Sequence, residues 1–271
     1  MNIYERKTVQ QEVVLSGLGL HSGVPVTVRI YPGENGIAFR RGTDRVLARP
    51  ENVTDTTRCT TLGPVATIEH LMSAFAGLEI TDAEVEVDAP EMPGLDGSAL
   101  PYVSSILGAG LAQIGSREIP DVYGRVFLVE DQIKIAVSKG SGHWKYVFAF
   151  NDRWPGSQSF ESPNATADYV NDIAPARTFV LAEEIPMIIQ MGLGKGLDES
   201  TALILGIEGY KNEARFEDEP ARHKLLDLMG DLYLSGVPIR HVNVVAERSG
   251  HRSNVKAAGM LAQAVGSVKS E

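Results

Sequence analysis

The stretch FEDEPARHKLLDLMGDLYLSG, residues 216–236, limits the possible folds more than any other part of the chain. Acidic residues and Pro220 at its start and Gly236 at its end predict a helix over Pro220–Leu234, with Asp218 or Glu219 as its cap. His223, Asp227 and Asp231 are spaced by four, at roughly 0°, 40° and 80° around the axis, with Lys224 near 100°. Leu225, Leu226, Leu228, Met229, Leu232 and Tyr233 fill the arc from roughly 140° to 300°. So one narrow polar stripe runs along a helix whose remaining surface wants burial. The narrow polar stripe has two readings. It is an ordinary solvated face, or it is a metal site, because a His and an Asp at i, i+4 can reach one ion. The stripe is His, Asp and Asp with Gly230 at its edge and holds no Glu or Arg, whereas long solvated faces favour Lys and Glu.

Elsewhere the period switches between two and 3.6. VQQEVVL, PVTVRIYP and GIAFRRG read as strands, and from Thr67, a plausible N-cap, Ile68, Leu71, Met72 and Phe75 mark a helix ending near Gly77. TDAEVEVDAPE alternates as a strand and Leu100–Ala112 reads as a helix. The polar junction QIGSREIPDVYG places a domain boundary near residue 118, giving domains 1–117 and 118–271. The second half repeats the order: strands RVFLV, QIKIAV and HWKYVFAF, helices Glu183–Met191 and Pro220–Leu234, the strand HVNVVAE and a last helix from Asn254. Strands in runs with few helices predict an α+β fold rather than a doubly wound parallel sheet.

Composition narrows the function. Lys plus Arg number 25 against 35 Asp plus Glu, a net charge of −10, which argues against a general nucleic-acid binder or adsorption to anionic lipid. The single cysteine, Cys59, excludes an intramolecular disulfide framework and a Cys-rich metal site, and fits a reducing compartment. MNIYERKTVQQEVVL lacks the apolar core of a secretory signal, and no run approaches the ~18 apolar residues of a membrane span. The expectation is a soluble, cytoplasmic protein without stable membrane insertion.

Two further segments carry chemistry. In TIEHLMSAFAGL, Glu69 and His70 are adjacent, which offers one metal ligand and one base, although the second histidine of an HExxH motif is absent. Ser249-Gly250-His251 follows a strand, and the Gly-His step is expected to expose the imidazole on a turn. GLGLHSG and GLGKG lack the glycine and Ser/Thr positions of nucleotide-binding loops and read as turns, so ATP and NAD chemistry are unsupported.

The segments LSGLGLHSG, TIEHLMSAFAGL, GLDGSALPYV, ARTFV, GLGKG, RFEDEPARHKLLDLMGDLYLSG and SGHRSNVK together resemble the UDP-3-O-acyl-N-acetylglucosamine deacetylase family, in that family's order, across residues 15–256. The resemblance implies a β-α-α-β sandwich of two similar domains with helices packed between two outer sheets. It implies a Zn²⁺ site at His70, His223 and Asp227, with iron(II) in cells left open, and Glu69 as general base. Thr178 would face the oxyanion and Lys224 the oxyanion region or a phosphate, His251 would donate to the leaving amine, and Asp231 would hold His251. LAEEIPMIIQMGLG, within an insert of about 178–196, would form a passage for an acyl chain; the other reading is a buried helix. His21, Phe179, Ile189 and Met191 are candidate substrate contacts. Arg252 follows His251 where a small residue is expected, and its charge would meet the diphosphate. The implied partner is an acylated UDP sugar, and the implied state a monomer. The competing readings are a catalytically silent lipid or sugar-nucleotide binder, and a metal amidase for another N-acyl substrate.

Overall fold

Alternation builds the layers. In the strand Pro25–Pro32, Val26, Val28 and Ile30 are buried, and in Trp144–Ala149 the same holds for Trp144, Tyr146 and Phe148. The computed structural model describes residues 2–119, 122, 124–150 and 152–266. Its first five-stranded sheet runs Val13–Leu18, Pro25–Pro32, Ala83–Val87, Ile37–Arg41, Asp44–Leu47. Its second runs Arg125–Glu130, Ile133–Lys139, Val242–Glu247, Trp144–Ala149, Ser157–Ser162. Numbered along the chain, both sheets have the order 1-2-5-3-4, and in both the parallel pair is 5 with 3. Each half places a central helix between strands 4 and 5 and another helix after strand 5. These are Glu69–Leu78 and Leu100–Ala109 in the first half, Glu219–Tyr233 and His251–Gly266 in the second. The second half adds the short helices Ala165–Asp168 and Ile185–Gln190 before its central one. The strands-then-helix order of the sequence is therefore a repeat of topology, and the fold is the expected α+β sandwich.

The two central helices lie between the sheets. In Glu219–Tyr233 every residue except Arg222 and Lys224 is buried, as the wide apolar arc required. The helix Glu69–Leu78 packs directly on it. At the crossing point stands Gly230: a Cβ there would lie 2.1 Å from the Glu69 carbonyl oxygen and 2.9 Å from the Ser73 nitrogen. The apolar core runs without interruption from the inner face of one sheet through the helices to the other.

Several boundaries differ from the sequence reading. Thr67 does not cap the first central helix; its φ is +62° and its hydroxyl donates to Glu91 Oε1 at 3.3 Å. Asp218 occupies the N-cap position of the second, but its carboxylate accepts from Arg222 Nε at 2.6 Å rather than from the backbone. The last helix starts at His251, three residues early. The junction near residue 118 lies in a strand, Leu111–Ile119, paired with Asn2–Val9; positions 120, 121 and 123 of that junction lie outside the described residues. In the insert, Phe179–Leu181 pairs with Leu203–Leu205 around a short helix, Ile185–Gln190, which is not buried. Among the described residues no helix is long and apolar enough to cross a membrane.

Since the crossing leaves no room for a methyl group, Gly230→Ala must push the helices apart. It is expected to lower stability by ~1–3 kcal/mol, read as a reduced urea-denaturation midpoint. An unchanged midpoint would contradict the packing described here.

Candidate active site

The polar stripe of the Glu219–Tyr233 helix faces the other central helix rather than water. His223 Nε2 lies 3.4 Å from Asp227 Oδ1, and His70 Nε2 reaches across to 3.6 Å from the same oxygen. One ligand atom from each residue lies within 4.8 Å of the other two, and all three residues are buried. Asp227 Oδ1 has no hydrogen-bond partner. A buried carboxylate oxygen left bare beside two imidazole nitrogens is the donor set that a divalent cation satisfies, and two His plus one carboxylate suits an open catalytic site. Supporting bonds set the aim. His223 Nδ1 lies 3.1 Å from the Ala176 carbonyl oxygen, which makes Nδ1 the donor and leaves the Nε2 lone pair facing the cluster. Burial drives the His223 pKa down to about 3, so the imidazole is neutral, as a ligand must be. Burial works against charge on Asp227 too. The Lys224 ammonium, with Nζ 2.8 Å from Oδ2, still helps hold the carboxyl well below the usual range.

Beside this cluster sit two proton-transfer candidates. Glu69 is 3% exposed, and burial raises its pKa against the pull of His251 and His70, toward the range useful to a general base. Its Oε1 is 4.0 Å from His251 Nε2. His251 is not displayed on an open turn, as expected from its Gly-His step. As the first residue of a helix, it has its side chain only 10% exposed. Its Nδ1 lies 3.1 Å from Asp231 Oδ2, which also accepts from Asn254 Nδ2 at 3.0 Å. Burial alone would lower the His251 pKa, but Asp231 and Glu69 outweigh it and raise the value to about 9. Asn254 escaped the sequence reading because the helix was started too late. From His251 it is the i+3 neighbour, on the same face.

These groups open onto one cavity of about 230 Å³. His21, Thr178, Phe179, Lys224 and His251 line it, together with the apolar Leu20, Ile188, Leu193 and Leu197. Thr178 is held by backbone bonds, its N–H to the Gly97 carbonyl at 2.7 Å and its own carbonyl accepting from Leu203 at 2.9 Å. Next to it, the buried Arg177 Nε donates to Glu219 Oε1 at 3.0 Å, tying this strand to the start of the His223 helix. The Glu91 carboxylate fixes the His21 loop, accepting the His21 and Ser22 N–H groups at 2.7 and 2.9 Å. Asp231 stands behind His251 rather than on the cavity wall.

Three candidate contacts are turned away from the cavity. Ile189 and Met191 are 68% and 56% exposed and do not line it. Helical rotation points Ile188 inward and its neighbour Ile189 out, which a single-residue sequence reading cannot resolve. Arg252 lies outside the cavity and pairs with Glu130 Oε2 at 3.2 Å. Arg58, at the mouth, was not anticipated, since nothing in its local pattern signals a site. A larger recess of about 380 Å³ around Tyr233–Val237 holds no histidine or cysteine on its walls.

Comparison with known proteins gives a consistent result. Residues 6–263 match the family UDP-3-O-acyl N-acetylglycosamine deacetylase. A curated UDP-3-O-acyl-N-acetylglucosamine deacetylase of Leptospira biflexa is 34% identical over 270 residues, covering 94% of this chain and 89% of the relative. Proteins of the same name from Geobacter sp. strain M21 and Myxococcus xanthus are 37% and 36% identical, over 93% of this chain and 87% and 85% of their own lengths.

If the three converging donors hold an ion, His70→Ala, His223→Ala and Asp227→Asn should each purify without the bound metal of the parent protein, and His251→Ala should keep it. Elemental analysis after dialysis decides this; full metal content in His223→Ala would refute the assignment.

Proposed function

The chain belongs to the UDP-3-O-acyl N-acetylglycosamine deacetylase family, and from that premise we propose that it hydrolyses the N-acetyl group of UDP-3-O-(3-hydroxyacyl)-N-acetylglucosamine. The products are acetate and the free 2-amino sugar nucleotide, a step in lipid A biosynthesis. The observation that carries this reading is the convergence of His70, His223 and Asp227 on one buried point, with Glu69 and His251 on the same cavity.

His70, His223 and Asp227 would hold Zn²⁺, with iron(II) as the alternative ion. When bound, the ion supplies Lewis acidity, bringing the pKa of water there to ~7 and polarising the amide carbonyl. Glu69 accepts the proton of the attacking water on Oε1. Its raised pKa suits that exchange. The Thr178 hydroxyl and the Lys224 ammonium face the carbonyl oxygen as negative charge develops there. His251 donates its Nε2 proton to the departing nitrogen, and Asp231 holds the ring with Nε2 outward. Ile188, Leu193 and Leu197 offer apolar wall to the acyl chain, and Phe179 and His21 bound the sugar.

We place the protein in the cytoplasm as a monomer. One buried cysteine and no disulfide partner suit a reducing compartment, and a single chain supplies the whole constellation.

Removal of metal with a chelator is expected to abolish deacetylation, and added zinc to restore it. Full activity after complete chelation would sink the reading, and a panel including unacylated and other N-acyl substrates tests the specificity. The pH dependence follows from His251. Its folded-state pKa is raised to about 9, so the proton it donates is present below that value and lost as pH rises through it. The alkaline limb of kcat/KM should therefore lie near 9, and Asp231→Asn should move it down by about 1–3 units. A limb that stays in place would mean that another group titrates.

A further inference from the structure

Thr60 stands in no motif, yet all three of its polar groups are engaged around the site. It is fully buried, just before the short strand Thr61–Leu62. Its N–H donates to Glu69 Oε2 at 3.0 Å, its hydroxyl donates to Asp231 Oδ1 at 2.6 Å, and its carbonyl accepts from the N–H of Ile68 at 3.2 Å, one residue before the Glu69 helix. The loop that delivers it is itself fixed: Asp55 Oδ1 accepts from the N–H groups of Thr56 and Thr57 and from the Thr57 hydroxyl, at 2.8, 3.1 and 2.8 Å.

We propose that Thr60 is the positioning residue that locks the proton donor His251 and its partner Asp231, from the second half of the chain, onto the base Glu69 of the first. The inference rests on the roles given above to Glu69 and His251, and deepens them.

The argument is one of hydrogen-bond inventory. The Thr60 hydroxyl has one proton, and it is committed to Asp231 Oδ1. Only lone pairs remain on Oγ1, 3.3 Å from His251 Nδ1. Asp231 Oδ2 also faces Nδ1, at 3.1 Å, so the ring meets two acceptors on that side. Nδ1 must be the protonated nitrogen of the pair whenever the ring is neutral, and Nε2 is aimed at the cavity, 4.0 Å from Glu69 Oε1. On the other side, the Thr60 N–H occupies Glu69 Oε2 and leaves Oε1 for proton transfer. A single residue thus selects the working atom of both groups. Among the described residues, the Thr60 hydroxyl is the one hydrogen-bond donor to Asp231 Oδ1. Without it, a fully buried carboxylate oxygen has no partner, and Asp231 can rotate away from the orientation that His251 requires.

The test uses the full-length, metal-loaded protein, with kcat, KM and bound metal measured for the acylated UDP sugar. Thr60→Val keeps the shape and the N–H but removes the hydroxyl. It is expected to lower kcat by roughly 10- to 100-fold, with KM and metal content close to the parent. Thr60→Ser should restore most of kcat, because it returns the donor. In an Asp231→Asn background the Val change should add little, since both act through one bond. Unchanged kcat in Thr60→Val, a loss that Ser fails to rescue, or full multiplicativity with Asp231→Asn would each overturn the proposal. If Thr60→Val does not fold, Thr60→Ala compared with Thr60→Ser makes the same distinction. His251→Ala separates the two levels. A crippled His251→Ala beside an unaffected Thr60→Val removes only the role of Thr60, whereas an unaffected His251→Ala removes the proton donor and the role of Thr60 with it.

Discussion

Everything at the site depends on two helices crossing with no side chain between them. Because Gly230 lets the backbone of Glu219–Tyr233 meet that of Glu69–Leu78 at Glu69, a stripe that a lone helix would turn to water is enclosed between two sheets. Enclosure makes each ionisable group costly unless it is paired, by several kcal/mol for an unpaired charge. Most of these demands are met within the protein: His223 by the Ala176 carbonyl, Asp231 by Thr60, Asn254 and His251, and Asp227 Oδ2 by Lys224. What is left over is Asp227 Oδ1 and two imidazole nitrogens facing it, a local excess of electron pairs that asks for a cation.

Three buried carboxylates thereby take on different characters on the same scaffold. Asp227, despite its burial, is kept ionised with the help of the Lys224 ammonium. Glu69 is pushed by burial toward holding a proton. Asp231, fully buried with three donors around it, serves as an anchor that raises the affinity of His251 for its own proton. Environment, not residue type, separates a ligand from a base from an orienting group.

The repeated 1-2-5-3-4 topology explains where the site forms. Each half presents its strand 4-to-5 helix on the inner face of its sheet, so stacking the halves brings the two equivalent helices together. Neither half holds a full set: the first supplies Thr60, Glu69 and His70, the second His223, Asp227, Asp231 and His251. Local bonds such as Arg177 with Glu219, and Glu91 with the His21 loop, then bring the cavity walls to these helices.

Much of this was legible in the chain. Period-two runs located four strands of each five-stranded sheet but not Asp44–Leu47, Ser157–Ser162 or the pair Asn2–Val9 with Leu111–Ile119. The spacing of His223, Asp227 and Asp231 put them on one face, and the wide apolar arc required a helix covered on most sides. Those signals are local, because backbone geometry converts spacing directly into direction. Other features depended on contacts between distant segments. That the stripe faces His70 rather than solvent, that His251 is buried at a helix start, that Ile188 rather than Ile189 meets the cavity, and that Thr60 bridges Glu69 and Asp231 all follow from how the two halves stack. A residue's spacing states which way it points along its own element; only packing decides what stands there to meet it.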